Sequence, residues 1–199
     1  MRGYIPLAIS CGLFIGLTGC EASSTPAEAP AQAQSLAQSM FVPTASIQDI
    51  MVSEVDPSAD FLWESVGTYV TEDGVEERQP RTDEDWQRVR IEAVRLTEAG
   101  NLLMMDGRRE AEEGKKLEDE GVEGILTAAE SQQTIDEARP AFIAFARALH
   151  DVGAKTLSAI DARDVQGMMN AGEELDEVCE SCHVQFWYPG QVIPDVPVF

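Results

Sequence analysis

Positive charge is scarce in this sequence. Fourteen Lys and Arg stand against 36 Asp and Glu, giving a formal net charge of −22 over 199 residues. A chain this acidic does not bind nucleic acid by counterion release, and anionic lipid head groups repel it. The acidity fits two readings, solubility of the chain and steering of basic partners, of which solubility is the simpler. Histidine is scarcer still, with only His150 and His183. Cysteine is limited to Cys11, Cys20, Cys179 and Cys182. A structural zinc site on Cys179 and Cys182 would need two further good ligands, and the rest of the domain offers only His150. No useful stretch alternates apolar and polar residues in the manner of a strand, so the strand–helix–strand setting of a thioredoxin-like dithiol is lacking. No constellation of proton-transfer residues stands out, so no enzymatic turnover is expected. Finally, no apolar run is long enough to span a membrane.

The longest apolar run, Ile5 to Leu17, follows Arg2 and has the length of a signal-peptide core. It ends in Leu17-Thr18-Gly19-Cys20. The small residues before Cys20 resemble a bacterial lipobox, in which the cysteine is acylated and becomes the new N-terminus; an ordinary secretory signal is the alternative. Residues 1–19 are therefore expected to be a lipoprotein signal peptide, and Cys20 the lipidation site. The chain would be exported and held by its lipid at the periplasmic face of a bacterial membrane. Glu21 is only a weak pointer to the outer membrane. Ser23 to Ser39 are rich in Ala, Gln, Pro and Ser and too poor in apolar side chains to order themselves, so 20–44 reads as a tether. Residues 45–199 suit a single domain.

Four stretches of that domain carry helical periodicity. The first runs from Ile47 to Val66 with apolar positions at Ile47, Ile50, Met51, Val55 and Leu62; Asp56-Pro57 predicts a kink or a restart capped by the aspartate. Gly67 to Arg81 reads as a loop. The second helix starts near Asp83, capped by Thr82 or Asp83, and its stripe is Trp86, Val89, Ala93, Leu96, Gly100 and Leu103. Asp106 to Gly124 reads as a solvated connection. The third helix spans Thr134 to Ile160, with Pro140 as a kink or the true start and Gly153 weakening its middle. The fourth runs from Ala162 to Phe186 and is stopped by Pro189. Four such stripes predict an all-α bundle.

The fourth stripe carries the chemistry. Cys179-Glu180-Ser181-Cys182-His183 reads C-x-x-C-H, the attachment pattern of a c-type haem. Two thiols form thioethers with the haem vinyl groups, and the histidine after the second becomes an axial iron ligand. Spacings of three and four put all three side chains on one helix face. That face also holds Val165, Met168, Met169, Gly172, Leu175, Val178 and Phe186, so the haem is expected inside the bundle.

The chain resembles the cytochrome c′/cytochrome c556 family, the class II c-type cytochromes. The likeness rests on the C-terminal place of Cys179-Glu180-Ser181-Cys182-His183, the helical pattern and the size. The strings His183-Val184-Gln185-Phe186-Trp187-Tyr188-Pro189 and Asp56-Pro57-Ser58-Ala59-Asp60-Phe61-Leu62-Trp63 are similar to an exported or lipid-anchored branch. The resemblance implies an up-and-down antiparallel four-helix bundle with one covalent haem c near the C-terminal helix. It implies redox partner proteins of the cell envelope and a tendency to form homodimers. Many members carry a basic residue a few positions after the haem histidine. Here Gln185, Phe186 and Trp187 stand there, which counts against the gas-binding cytochromes c′ proper.

The sixth iron ligand decides the use of such a haem. Family analogy puts it on the first helix, where Met51 stands; the alternative is that Met51 only packs the core. With Met51 ligating, the expected function is single-electron transfer. Without it, a five-coordinate haem binds NO or CO as a sensor or sink. Met104, Met105, Met168 and Met169 read as core or surface, Met40 as a weak candidate in the tether, and His150 as a satisfied histidine rather than a second haem ligand. Trp63, Trp86, Phe142, Phe145 and Trp187 read as core or haem lining. Arg88, Arg90, Arg95 and Arg147 are candidates for the propionates. A helical lipoprotein with a Cys179–Cys182 disulfide is the non-haem alternative.

Overall fold

The structure, a computed structural model, describes residues 41–191. The expected signal peptide, Cys20 and most of the expected tether lie outside the described residues. The described chain is mostly helical. In order it forms α1 (Ile47–Ile50), a π-helical stretch (Met51–Val55), α2 (Asp56–Glu64), strands β1 (Gly67–Thr71) and β2 (Gly74–Arg78), α3 (Asp83–Met104), α4 (Ala128–Glu137), α5 (Arg139–Asp161) and α6 (Val165–Phe186).

Helix starts follow the local sequence. Ser46, Thr82 and Thr127 each accept from the backbone N–H three residues on, while the acid there, Asp49, Asp85 or Glu130, accepts from the cap's own N–H. These reciprocal capping boxes satisfy two orphan donors apiece. Asp164 caps α6 by accepting from Gly167 N. That sets the start three residues later than the periodicity suggested.

Asp56-Pro57 neither breaks the first helix nor restarts it with the aspartate as cap. The backbone stays helical through both residues, and Asp56 N donates to Met51 O, five residues back. In α geometry the proline ring would clash with the carbonyl four residues earlier. The wider π turn relieves that clash. Such bulges recur at functional sites, and this one begins at Met51.

Two further expectations are corrected. Gly67 to Arg81 is not a loop but holds an antiparallel hairpin, with Val70 opposite Val75. Both valines are largely exposed. The hairpin buries almost nothing, so it left no alternating apolar face to read. The expected third helix is two helices, α4 and α5, separated at Ala138, whose φ of −120° and ψ of 33° leave the helical region. Pro140 sits in the first turn of α5, the place where its missing N–H costs nothing.

The packed pairs α2 with α3 and α3 with α5 run antiparallel. Ser58 Oγ on α2 donates to Glu92 on α3 at 3.1 Å, and Arg88 lies over the Phe61 ring, one turn further along each in opposite senses. Arg90 of α3 pairs with Asp161 at the end of α5. Lys155 of α5 pairs with Glu174 of α6. Trp63 Nε1 of α2 donates to Gly172 O of α6 at 3.0 Å. A shared core runs through these helices, including Ile50, Leu62, Leu96, Phe142, Val152, Leu175 and Phe186.

Helices α3 and α5 approach closely at two glycines. A Cβ on Gly100 would lie 2.8 Å from Ala146 O and 2.8 Å from His150 N. A Cβ on Gly153 would meet Thr97. Gly153 thus lets two helices touch. Gly100→Ala forces backbone apart and is expected to cost ~1–3 kcal/mol. Chemical denaturation should show the loss as a lower midpoint at unchanged slope; a neutral substitution would refute the contact.

Candidate functional site

A cavity of about 360 Å³ lies between the first helical segment and α6. Its walls are mainly apolar, with Ile47, Met51, Val55, Leu103, Ile135, Phe142 and Leu149 among them. Cys179, Cys182 and His183 of α6 open into it, and so does Met51 from the facing wall. Residues from near the two ends of the described chain therefore meet around one hollow. The connection 105–127 closes its end. Ile47 N and Gln48 N donate to Arg109 O and Glu110 O, and Leu126 N donates to Trp187 O, each at 2.8 Å.

Both cysteines are free thiols. Burial pushes Cys179 up to about 11, helped by Asp176 and Asp56. Burial likewise pushes Cys182 up to about 12, helped by Cys179 and Glu110. Exchange-active dithiols need a depressed thiol, so this pair is ill suited to catalytic thiol–disulfide exchange. Burial lowers His183, leaving the neutral imidazole that ligates metals. Among the described residues no cluster of three or more His, Cys, Asp or Glu converges as a metal site.

The imidazole is held from behind by aromatic rings. Trp187 meets it edge-on with ring centres 5.1 Å apart, and Tyr188 lies at 5.8 Å. Trp187 N and Tyr188 N both donate to His183 O, at 2.8 and 2.9 Å. Tyr188 Oη donates to Glu180 at 2.6 Å. Burial, followed by this hydrogen bond, pushes the phenol up. The three residues after Gln185 therefore form a cap that stiffens the end of α6.

Several other expected residues also reach the cavity: Trp63, Phe142, Phe145 and Trp187 line it. Trp86 is buried elsewhere, with Arg163 near its ring. His150 does not line the cavity; its Nδ1 lies 2.9 Å from Asp151, beside the α3 contact. Met104, Met105, Met168 and Met169 also stay outside, with Met168 in the core. Arg88, Arg90, Arg95 and Arg147 face the surface, Arg88 over Phe61 and the others bound to Asp161, Glu92 and Asp151. Among the described residues no arginine or lysine lines the cavity.

One lining residue had no signal in the sequence. Glu110, in the connection expected to be merely solvated, is 8 % exposed and opens into the cavity. Its Oε2 has no hydrogen-bond partner among the described residues, and neither does Nε1 of Trp187. Burial raises Glu110 to about 7, against a lowering hydrogen bond from Ser131. Nothing distinguishes this glutamate from the chain's other acids until the loop is folded.

No family model, curated protein or solved structure matches the chain.

Proposed function

We propose that this chain is a mono-haem c-type cytochrome that transfers single electrons in the cell envelope. The observation that carries the reading is the convergence of Cys179, Cys182, His183 and Met51 on one apolar cavity. Two thiols three residues apart, an imidazole on the next position and a thioether opposite are the donor set of a covalent haem with histidine and methionine. The cavity is within the size range of ligand and cofactor pockets, which start at roughly 300 Å³. The apolar lining of the hollow lacks packing partners on its inner side, which favours a resident group that fills it.

Each residue then has a role. Cys179 and Cys182 anchor the group through thioethers. His183, kept neutral by burial and oriented by Trp187, is the proximal ligand. Met51, at the head of the π turn, is the distal ligand. The apolar walls exclude water. The haem supplies a centre that accepts and releases one electron without bond making. In the same reading the antiparallel helices form an up-and-down four-helix bundle. Cys20 tethers the exported chain by lipid to the periplasmic face of a membrane, within reach of redox partner proteins.

A reduced-minus-oxidised spectrum of protein matured in a host that attaches c-type haem is the direct test. A c-type α band, with a mass raised by one covalent haem, is expected. A mature protein with neither would sink the reading.

A further inference from the structure

We propose that Glu110 is a second functional residue of this cavity: a proton acceptor that takes up one proton when an electron arrives and releases it when the electron leaves. The inference rests on the haem reading above and adds proton coupling to it.

The placement of the side chain carries the argument. Glu110 borders two spaces of opposite character. One is the apolar cavity, where its unpartnered Oε2 is buried. The other is an open polar hollow of about 630 Å³ on the outer side of the 105–127 connection. Lys115, Glu120, Gln132, Asp136 and Arg139 line that hollow. Among the described residues Glu110 is thus the one carboxyl that both spaces share. An unpaired buried carboxylate is costly, and although Lys115 and Arg139 line the same polar hollow, no ion pair to Glu110 is formed among the described residues.

The groups facing Glu110 leave it free to respond. On α6 the neighbour is the Cys182 thiol, which carries no charge once it is a thioether. On α4 they are Ser131 and Gln132; Gln132 Oε1 accepts from Glu110 N at 2.7 Å. On α1 the neighbour is Gln48, whose side chain donates to Lys116 O. On its own loop Arg108 donates to the carbonyls of Ala45 and Leu102, and Arg109 pairs with Glu112. Lys116 pairs with Glu120. Among the described residues no cation forms an ion pair with Glu110.

The step balances simply. A one-electron donor of the envelope adds one negative charge to the cavity. In a poorly solvated space that charge disfavours a neighbouring carboxylate. A proton from bulk solvent (hydronium or a buffer acid) is relayed through water in the polar hollow, and an O–H bond forms on Glu110 as the donor acid keeps the bonding pair. Oxidation by a one-electron acceptor breaks that bond and returns the proton. Burial raises Glu110 from the usual carboxylate range to about 7, which brings the exchange toward neutrality.

The test is the midpoint potential of the haem-loaded protein as a function of pH. It is expected to fall as pH rises from neutrality, toward 59 mV per tenfold change in proton concentration for a one-electron couple. In Glu110→Gln, which keeps shape but not the titrating group, the potential should be flat over that range and stay at the acid-side value of the unmodified protein. Infrared difference spectra of the unmodified protein give an independent reading. A protonated carboxyl band should appear on reduction, shift in deuterium oxide and be missing from the variant. A flat profile in the unmodified protein, or an equal slope in Glu110→Gln, overturns the proposal. A protein matured without covalent haem overturns it together with the haem reading, and the absorption spectrum reports that before any titration.

Discussion

Changing Cys179 and Cys182 together to alanine is expected to yield a chain that keeps no pigment after denaturation and melts far below the unmodified protein. Both losses have one origin. On the proposed reading, a haem without thioethers would be held only by axial bonds and packing, and denaturing conditions would extract it. What remains is a helical chain around an apolar hollow of about 360 Å³. Such a space collapses or fills with water, and the price is several kcal/mol of a stability that totals only ~5–15. The expected haem-free chain keeps its far-ultraviolet helical signal but loses near-ultraviolet fine structure around Trp63, Phe142 and Trp187, the marks of loosened packing. Thermal melts followed at both wavelengths decide the matter. Equal melting temperatures with and without the cysteine pair would mean that the hollow does not depend on a covalent group.

The second large effect belongs to Met51. Met51→Leu keeps nearly the same volume, so its cost in stability should stay below ~1.5 kcal/mol. If Met51 ligates as proposed, however, its thioether is lost to the iron completely. The ferric protein is then expected to pass from low to high spin, the ferrous protein to bind CO, and the midpoint potential to fall, because methionine ligation raises it. Optical and electron paramagnetic resonance spectra of the ferric state read the first change directly. If those spectra are the same in both proteins, Met51 packs the cavity without binding iron. Normal CO binding in the unmodified protein would point to the five-coordinate alternative.

Some of this was legible in the sequence because helices buried on one side leave a regular trace. Trp86, Val89, Ala93 and Leu96 recur at spacings of three and four, and all four are buried in α3. Cys179, Cys182 and His183 could be put on one face from spacing alone, and they do line one wall. The hairpin escaped because β1 and β2 bury almost nothing, so no side-chain period records it. The division of α4 from α5 turns on one backbone conformation at Ala138, a residue that favours helix almost everywhere. Arg88, Arg90, Arg95 and Arg147 seemed suited to an anionic ligand by charge alone, but each is engaged at the surface. Glu110 escaped for the opposite reason. It reaches the cavity through a long irregular connection, whose path depends on hydrogen bonds to Ile47, Gln48 and Gln132 rather than on any local pattern. The Asp56-Pro57 pair was read as a kink or a restart capped by the aspartate; the capped restart is what the structure overturns, since widening a turn leaves the same sequence mark as restarting one.

The two walls of the cavity come from opposite ends of the described chain, Met51 early and Cys179 to Trp187 late. During synthesis the first wall emerges long before the second. Until the last helix appears, Ile50, Leu103, Phe142 and Leu149 have lost part of their packing partners. Closing so long a loop is entropically slow, and the nascent chain must spend that interval with an open apolar face. A chain cut short before α6 would therefore fail as a whole rather than fold minus one helix.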